Sequence, residues 1–581
     1  MSQMPSLAEE FEAFVKGKHP NFKFRLQQKE VVLDILAAYE EDQNGIYLLD
    51  APTGSGKSVI AMLFSDFMAH KGNRGYILAS DLALHEQYSK DFRGMQLWNW
   101  GQIKGVDNYE CSVNGERFSV GDCKSKGLSY EAAEALPCFK SCGYLTARKK
   151  AIKSPVALLT YPYALIQRNY VEQQQQGKGK GSPFPQRDFV VCDEAHKLLE
   201  IVQSHFSPVV SHDIHRKVDR FRNDLVELGL RSPNIDLTGL EKAVDGIYEN
   251  EEPKIILLHI IQIVSILGRL LKDTAGLREY AAKEFGEDSV PRDWLNLFNL
   301  ADWIKDVHCK LEDYVEIIGK AGHDKMIKNP GEKSITLNCI DEYYLLQKHF
   351  FNKFGFKLLM TATLGSPKEF MKNHGIKSAK YFKMDSHFKW DRSPIVFYPG
   401  KKLSARFLDD NFSWAVDRVT QILGEHEGQS GIIHTGSYEL SQRLWKSLSK
   451  SLRKRVLLYA GSEEKDRMLK KMKKTSGLVA MGPSLLEGLN LVDDLSRFQV
   501  FLKVPYPYLG DKYVAAKLAH SNAWYSWKTS VSVLQGVGRS IRTPDDWAVT
   551  YLIDGCFADL FKSANDQFPA EFKSRLKIQY K

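Results

Sequence analysis

Three things are missing from the sequence: a long hydrophobic run, an apolar leader and an internal repeat of solenoid length. The most apolar stretch, Ile255–Gly268, is 14 residues long and is interrupted by His259, Gln262 and Ser265. That is too short to cross a bilayer. Its polar residues recur at every third position, the pattern of a helix buried on most of its circumference, and it is expected to form the core helix of an all-helical insert. The N-terminal MSQMPSLAEEFEAFVKG holds acidic residues and lacks an apolar h-region. Neither a signal nor a transit peptide is expected, so the chain should stay in the compartment where it is made. Hydrophobic content of 43% and charged content of 26% are those of a soluble globular protein, and argue against long disordered stretches.

What is present is length enough for several domains, 581 residues, and a net charge of +9 with a pI near 8.8. The charge is a mild bias towards a polyanionic partner. Short apolar, β-branched runs recur at 46–50, 75–80, 156–161, 188–193 and 357–361, with helical patterns between several of them. A second series occupies 395–398, 431–435, 455–460, 477–481, 498–503 and 549–553. Two tandem α/β domains with parallel sheets are predicted. Residues 101–147, with four of the eight cysteines, and residues from about 200 to 335, helix-patterned and without strand runs, interrupt the first domain. The run QQQQGKGKGSPFP at 173–185 is of low complexity and is expected to be a flexible loop.

Three motifs carry chemistry. APTGSGKS, Ala51–Ser58, follows the run IYLLD and precedes a helical pattern, the setting that a phosphate-binding loop requires. Gly54 and Gly56 let the backbone curl so that N–H groups face phosphates, with Ala51, Pro52, Thr53 and Ser55 completing the loop. Lys57 is placed to neutralise the β- and γ-phosphates of ATP, and Ser58 to ligate Mg²⁺. In FVVCDEAH, Asp193 and Glu194 fall at the end of an apolar strand, where Asp193 would hold Mg²⁺ through its water shell and Glu194 would polarise the attacking water. QGVGRSIR, Gln535–Arg542, sets Arg539 and Arg542 three apart, hence on one face of a predicted helix, with Gln535 beside the nucleotide. Two permanently charged forks suit the developing γ-phosphate charge in an interdomain cleft; alone, the same run also reads as a solvated basic helix.

Together these motifs resemble those of superfamily-2 helicases, and further matches extend along nearly the whole chain. FRLQQ (Arg25, Gln28) lies where that family has its adenine-contacting glutamine, and Ser80–Gln87 resembles a strand-contacting motif. Met360–Leu364 (MTATL) is similar to the motif coupling hydrolysis to strand movement, and Gly431–Ser437 to the opening of a second motor domain. Glu487, Gly488 and Asn490 resemble a further motif, although Asn490 stands where the family has Asp; Lys503–Pro507 and Asp554 match others. Lys104–Cys111, followed by Cys123, Cys138 and Cys142, resembles the cluster region of the XPD/DinG iron–sulfur subgroup. Four thiolates in one insert satisfy a [4Fe–4S] cluster; a structural zinc ion is the alternative, although only Cys138 and Cys142 are close in sequence. Cys192, Cys309, Cys339 and Cys556 are scattered and expected to pack as small apolar residues. Free thiols and a cluster both imply a reducing compartment, cytoplasmic, nucleoid or nuclear.

The resemblance implies two RecA-like motor domains and the following division: motor domain 1 over 1–104, 148–200 and 336–366, a cluster insert over 105–147, a helical Arch-like insert over 201–335, and motor domain 2 over 367–581. It implies an ATP-dependent DNA helicase moving 5′→3′ on single-stranded DNA, acting on forked or tailed duplexes, as a monomer away from membranes. Lys149, Lys150 and Lys153 are candidates for backbone contacts and Tyr109 or Trp98 for base stacking, with solvated charges or packed rings as the alternative. An RNA helicase and an ATP-binding nucleic-acid clamp without turnover remain the competing functions.

Overall fold

The computed structural model describes residues 6–580 except 26, 127, 129, 172–183, 287–289, 387–389, 460–461, 484–492 and 542–545. Strands β1 (Ile46–Asp50), β2 (Gly75–Ala79), β3 (Gly101–Gln102), β4 (Val156–Thr160) and β5 (Phe189–Cys192) come first, and β6 (Val209–Ser211), β7 (Met326–Pro330) and β8 (Ser334–Cys339) flank the helical insert. They are followed by β9 (Phe356–Thr361), β10 (Lys380–Lys383), β11 (Ile395–Phe397), β12 (Gly431–His434), β13 (Val456–Leu458), β14 (Val479–Gly482), β15 (Phe498–Phe501), β16 (Val549–Leu552) and β17 (Leu576–Ile578).

Among the described residues these strands make two parallel seven-stranded sheets, ordered β10-β1-β9-β5-β2-β4-β3 and β13-β14-β12-β15-β16-β11-β17. Every residue of β2, β4, β5 and β9 is buried, as expected of strands covered on both faces. The helix Lys57–His70 supplies one cover: Phe64 meets Phe189 edge-on at 5.3 Å and stacks on Phe356 at 5.6 Å. The two RecA-like domains implied by the sequence are present.

Three expectations need correction. The first motor domain does not end at 366, because β10 pairs with β1 (Tyr47 opposite Lys380) and carries that domain past residue 380. The insert is not all helical: its helices Ile214–Glu227, Leu237–Glu249, Pro253–Asp273, Leu277–Phe285 and Arg292–Ala321 stand on an antiparallel sheet, β6-β8-β7. A three-residue β6 and a β7 ending in Asn329 and Pro330 carry too little periodicity to announce themselves; β7 pairs with β8 across a short turn, whereas β6 finds β8 more than a hundred residues away. Finally, the 14-residue apolar run belongs to a longer helix, Pro253–Asp273, and the helical stretch Pro253–Phe285 is apolar and long enough to cross a membrane by composition. One side of it, Ile256, Ile260, Ile263, Ile266, Leu267 and Leu270, is buried in the insert, so it serves as that bundle's core helix. The insert also reaches motor domain 2, where Asn329 donates to Asp511 at 3.2 Å, and just beyond the insert Glu342 makes a buried 2.5 Å ion pair with Lys517.

Candidate nucleotide site and cysteine insert

The phosphate-binding loop springs from the C-terminal end of β1. Gly54 (φ 80°) and Gly56 (φ 84°) take the left-handed conformation, and Gly56 caps the helix that begins at Lys57. A side chain at Gly56 would also collide with Gln28, whose Nε2 would lie 2.3 Å from the added Cβ. Gln28 itself is buried, accepting from the Arg25 N–H (2.9 Å) and donating to the Ser55 carbonyl (2.9 Å). One end of the amide expected to contact adenine thus braces the loop, and the other is held by Arg25. Lys57 Nζ donates to the Ala51 carbonyl at 3.2 Å, which folds the ammonium back over the loop.

Asp193 and Glu194 lie directly beyond β5. Asp193 is buried, its Oδ2 accepting from the fully buried Tyr88 hydroxyl (2.9 Å) and its Oδ1 from the Glu194 N–H (2.9 Å). Burial, and then the neighbouring Glu194, push the Asp193 carboxyl above the usual carboxylate range. Burial works in the same direction on Glu194 but is outweighed by His196, Lys57, Lys197 and Arg539, which hold it below that range. Glu194 is one of three non-glycine residues with positive φ (53°) among those described, a strained conformation that recurs at functional sites. A buried carboxylate beside a second one, with Ser58 lining the same cleft, is a donor set suited to a hydrated divalent cation.

Motor domain 2 closes the cleft from across. Gln535 Nε2 donates to His196 Nε2, and His196 Nδ1 lies 2.9 Å from the Thr361 hydroxyl, which in turn accepts from the Thr363 N–H (3.1 Å). The DEAH histidine therefore joins the second domain to the MTATL segment of the first. Nearby, Trp527 donates to the Leu364 carbonyl (3.0 Å) and Gln567 accepts from the Ser366 N–H (2.8 Å). Arg539 lines the cleft of ≈ 1110 Å³ together with Thr53, Lys57, Ser58, Asp193 and Glu194. It does not sit on a helix face, because the helix Asn522–Val537 ends at the Gly538 cap and Arg539 lies in the turn beyond. A Cβ at Gly538 would be 3.6 Å from the Thr53 hydroxyl, a measure of how near the two domains stand. Arg542, Glu487, Gly488, Asn490 and most of the low-complexity run lie outside the described residues. Asp554 is away from the cleft: its buried carboxylate accepts from the N–H groups of Leu403, Val504 and Cys556 and pins that segment.

Thr361 lies in MTATL, which the sequence does mark, but His196, Tyr88, Trp527 and Gln567 are not singled out by it. His196 had a local signal, three residues after Asp193 in DEAH; the others become visible only when distant segments are brought together.

All eight cysteines are free thiols. Cys111, Cys123 and Cys142 are buried and Cys138 partly so, while Cys192, Cys339 and Cys556 are buried and pack as apolar residues. Gly121 passes so close that a Cβ there would be 3.1 Å from Cys111 Sγ. Burial raises the Cys111 thiol, but the N–H groups of Val113, Asn114 and Asp122 outweigh it and bring it below its ordinary value. Burial, then Cys142 and Cys111, raise the Cys123 thiol. Four thiols in one small insert, one of them ringed by N–H donors, are a chemically suitable set for a thiolate-bound centre. Among the described residues no group of three or more His, Cys, Asp or Glu converges tightly enough to hold a metal ion. Of the candidate strand contacts, Lys149 is paired with Glu134 (2.7 Å) and Tyr109 packs edge-on against Tyr144, whereas Lys150, Lys153 and Trp98 are exposed.

Residues 420–575 match the family described as Helicase C-terminal domain, and residues 21–218 the family described as Type III restriction enzyme, res subunit. The chain is similar to the probable ATP-dependent helicase MJ0942 of Methanocaldococcus jannaschii, 19% identical over 95% of this chain and 94% of that protein. It is also similar to the ATP-dependent DNA helicase YoaA of Escherichia coli, 24% identical over 40% and 42% of the two chains. In fold it matches S. tokodaii Xpd4, with a TM-score of 0.57 at 16% identity over 96% of this chain and all of that one. An XPD helicase structure gives 0.58 at the same identity and coverage. The phosphate loop, the DEAH turn and the second-domain glutamine and arginine thus meet in one cleft of a chain that carries a helicase C-terminal domain over 420–575 and has the fold of the XPD structures.

Proposed function

We propose that the protein is an ATP-dependent DNA helicase that moves 5′→3′ along single-stranded DNA and opens forked or tailed duplexes, working as a monomer in a reducing compartment. The observation that carries this reading is the cleft itself, in which Lys57 and Glu194 of one domain face Gln535 and Arg539 of the other. Lys57 would neutralise the β- and γ-phosphates, Glu194 would orient and deprotonate the attacking water, and Arg539 would meet charge developing on the γ-phosphate. Ser58 and Asp193 would hold Mg²⁺, which supplies charge neutralisation when bound. Hydrolysis would weaken the grip across the cleft, and the His196–Gln535 contact would pass that change between the domains. The name of YoaA as a DNA helicase supports DNA over RNA. Strand displacement on oligonucleotides with a 5′ or a 3′ single-stranded tail tests this directly, with ATPase stimulation by single-stranded DNA and RNA measured alongside. Displacement only from the 5′-tailed substrate and stronger stimulation by DNA are expected. RNA stimulation equal to that of DNA makes it an RNA helicase, and absence of nucleic-acid-stimulated phosphate release makes it a clamp.

We further propose that Cys111, Cys123, Cys138 and Cys142 hold a [4Fe–4S] cluster that keeps the insert in shape as the wedge that parts the duplex. Protein purified without air should be brown and carry about four irons per chain. Changing any of the four to Ser removes a ligand from a segment too small to hold its shape by core packing alone. Iron content should fall, and unwinding should be lost to a greater degree than basal ATPase, because the nucleotide site lies elsewhere. Zinc without iron in oxygen-protected protein would overturn the assignment.

A further inference from the structure

The positive charge of this chain is gathered in one place. Between Arg443 and Lys474 stand twelve lysines and arginines against three acids, a surplus of nine, and nine is the net charge of all 581 residues. The remainder is neutral overall. This segment wraps β13, the outermost strand of the second sheet: the helix Lys450–Arg455 leads into it and the helix Ser462–Lys474 follows it. Some of the cations have local partners, since Arg443 pairs with Asp409 and Arg455 donates to the carbonyls of Gly477 and Leu423. Eight others, Lys446, Lys450, Lys454, Arg467, Lys470, Lys471, Lys473 and Lys474, are exposed.

The second of these helices is built to present them. Met468 and Met472 are buried against Ile432 and Ala480, so its apolar side is already used inward. Residues 467–474, Arg-Met-Leu-Lys-Lys-Met-Lys-Lys, contain no acid at all. Arg467, Lys470, Lys471 and Lys474 fall at i, i+3, i+4 and i+7, a single face on which like charges are neighbours and weaken an isolated helix. Lysines in a last turn complement the helix dipole, but that effect is confined to the terminal turn and does not account for eight exposed cations on three successive helices. The face spans about 10 Å, the length of about three phosphates along one strand. A protein partner would call for an apolar anchor at the centre of the contact, and here the apolar residues point inward.

We propose that this edge of motor domain 2 docks the phosphate backbone of nucleic acid outside the nucleotide cleft, which none of these residues lines. The proposal rests on the helicase reading and adds a second grip that the motor's chemistry does not require. The test compares the full chain with a variant carrying Lys470→Gln, Lys471→Gln, Lys473→Gln and Lys474→Gln, and with a second carrying Arg at the same four positions. Labelled single-stranded and duplex oligonucleotides are titrated by anisotropy between about 50 and 200 mM salt. The Gln variant should lose about tenfold or more in affinity, and its slope of log K against log salt should shrink by about 2 to 3. The Arg variant should match the parent, and ATPase without nucleic acid should be the same in all three. A Gln variant with the parent's affinity and slope overturns the surface alone and leaves an acidic protein as its partner. A parent that binds neither oligonucleotide overturns the helicase reading and this surface together.

Discussion

Lys57→Ala should abolish ATP turnover, with kcat falling by about 10²–10³-fold or more, the loss expected when a charge donor aimed at a developing anion is removed. In the structure the ammonium is folded onto the Ala51 carbonyl at 3.2 Å, a modest hydrogen bond that phosphate oxygens would readily replace. Lys57 also acts on both acids across the cleft, drawing Asp193 and Glu194 towards their charged forms. Its removal leaves two neighbouring carboxylates with less compensation just where triphosphate must enter. Affinity for ATP should therefore fall as well as rate. Phosphate release measured over a range of ATP concentrations checks both; a variant keeping a tenth of the parent rate would show that this loop is not the site.

Glu194→Gln should behave differently. The amide has the shape of the carboxylate and imposes no new backbone demand at φ 53°. Asp193 keeps its hydrogen bonds to Tyr88 and to the N–H of residue 194. Binding of ATP should persist while hydrolysis falls by at least the 10²-fold or so that a general base supplies. Single-turnover phosphate release, set beside direct nucleotide binding, separates the two quantities. An unchanged rate would assign water activation to another group, and lost binding would make Glu194 a ground-state contact.

What was legible in the sequence was what is local. A loop whose glycines must take positive φ, a strand that ends in two acids and a pair of α/β series each carry their signal within about ten residues. Other features depend on partners far along the chain. Gln28 stands where an adenine reader belongs, but its amide is engaged by Arg25 and by Ser55, which no spacing rule announces. The helix expected to carry Arg539 stops at Gly538, and there the signal was present in Gly536-Val537-Gly538 but was read as part of the helix. The small sheet under the insert escaped because β6 and β8 find each other across more than a hundred residues.

The strand order of the first sheet has a further consequence, for the order in which the protein can be made. β5, β2, β4 and β3 pair among themselves and all precede the insert, so they can assemble as soon as they leave the ribosome. β1, which carries the phosphate loop, pairs only with β9 and β10, Ile46 against Lys357 and Tyr47 against Lys380. At synthesis rates of about 5–20 residues per second, the first strand of the motor waits roughly 15–60 s for its neighbours. Throughout that interval its apolar edge is open to wrong pairing, and the whole helical insert must be threaded in between. A chain stopped before Phe356 would thus contain every residue of the phosphate loop yet lack both strands that hold β1, from which the loop springs.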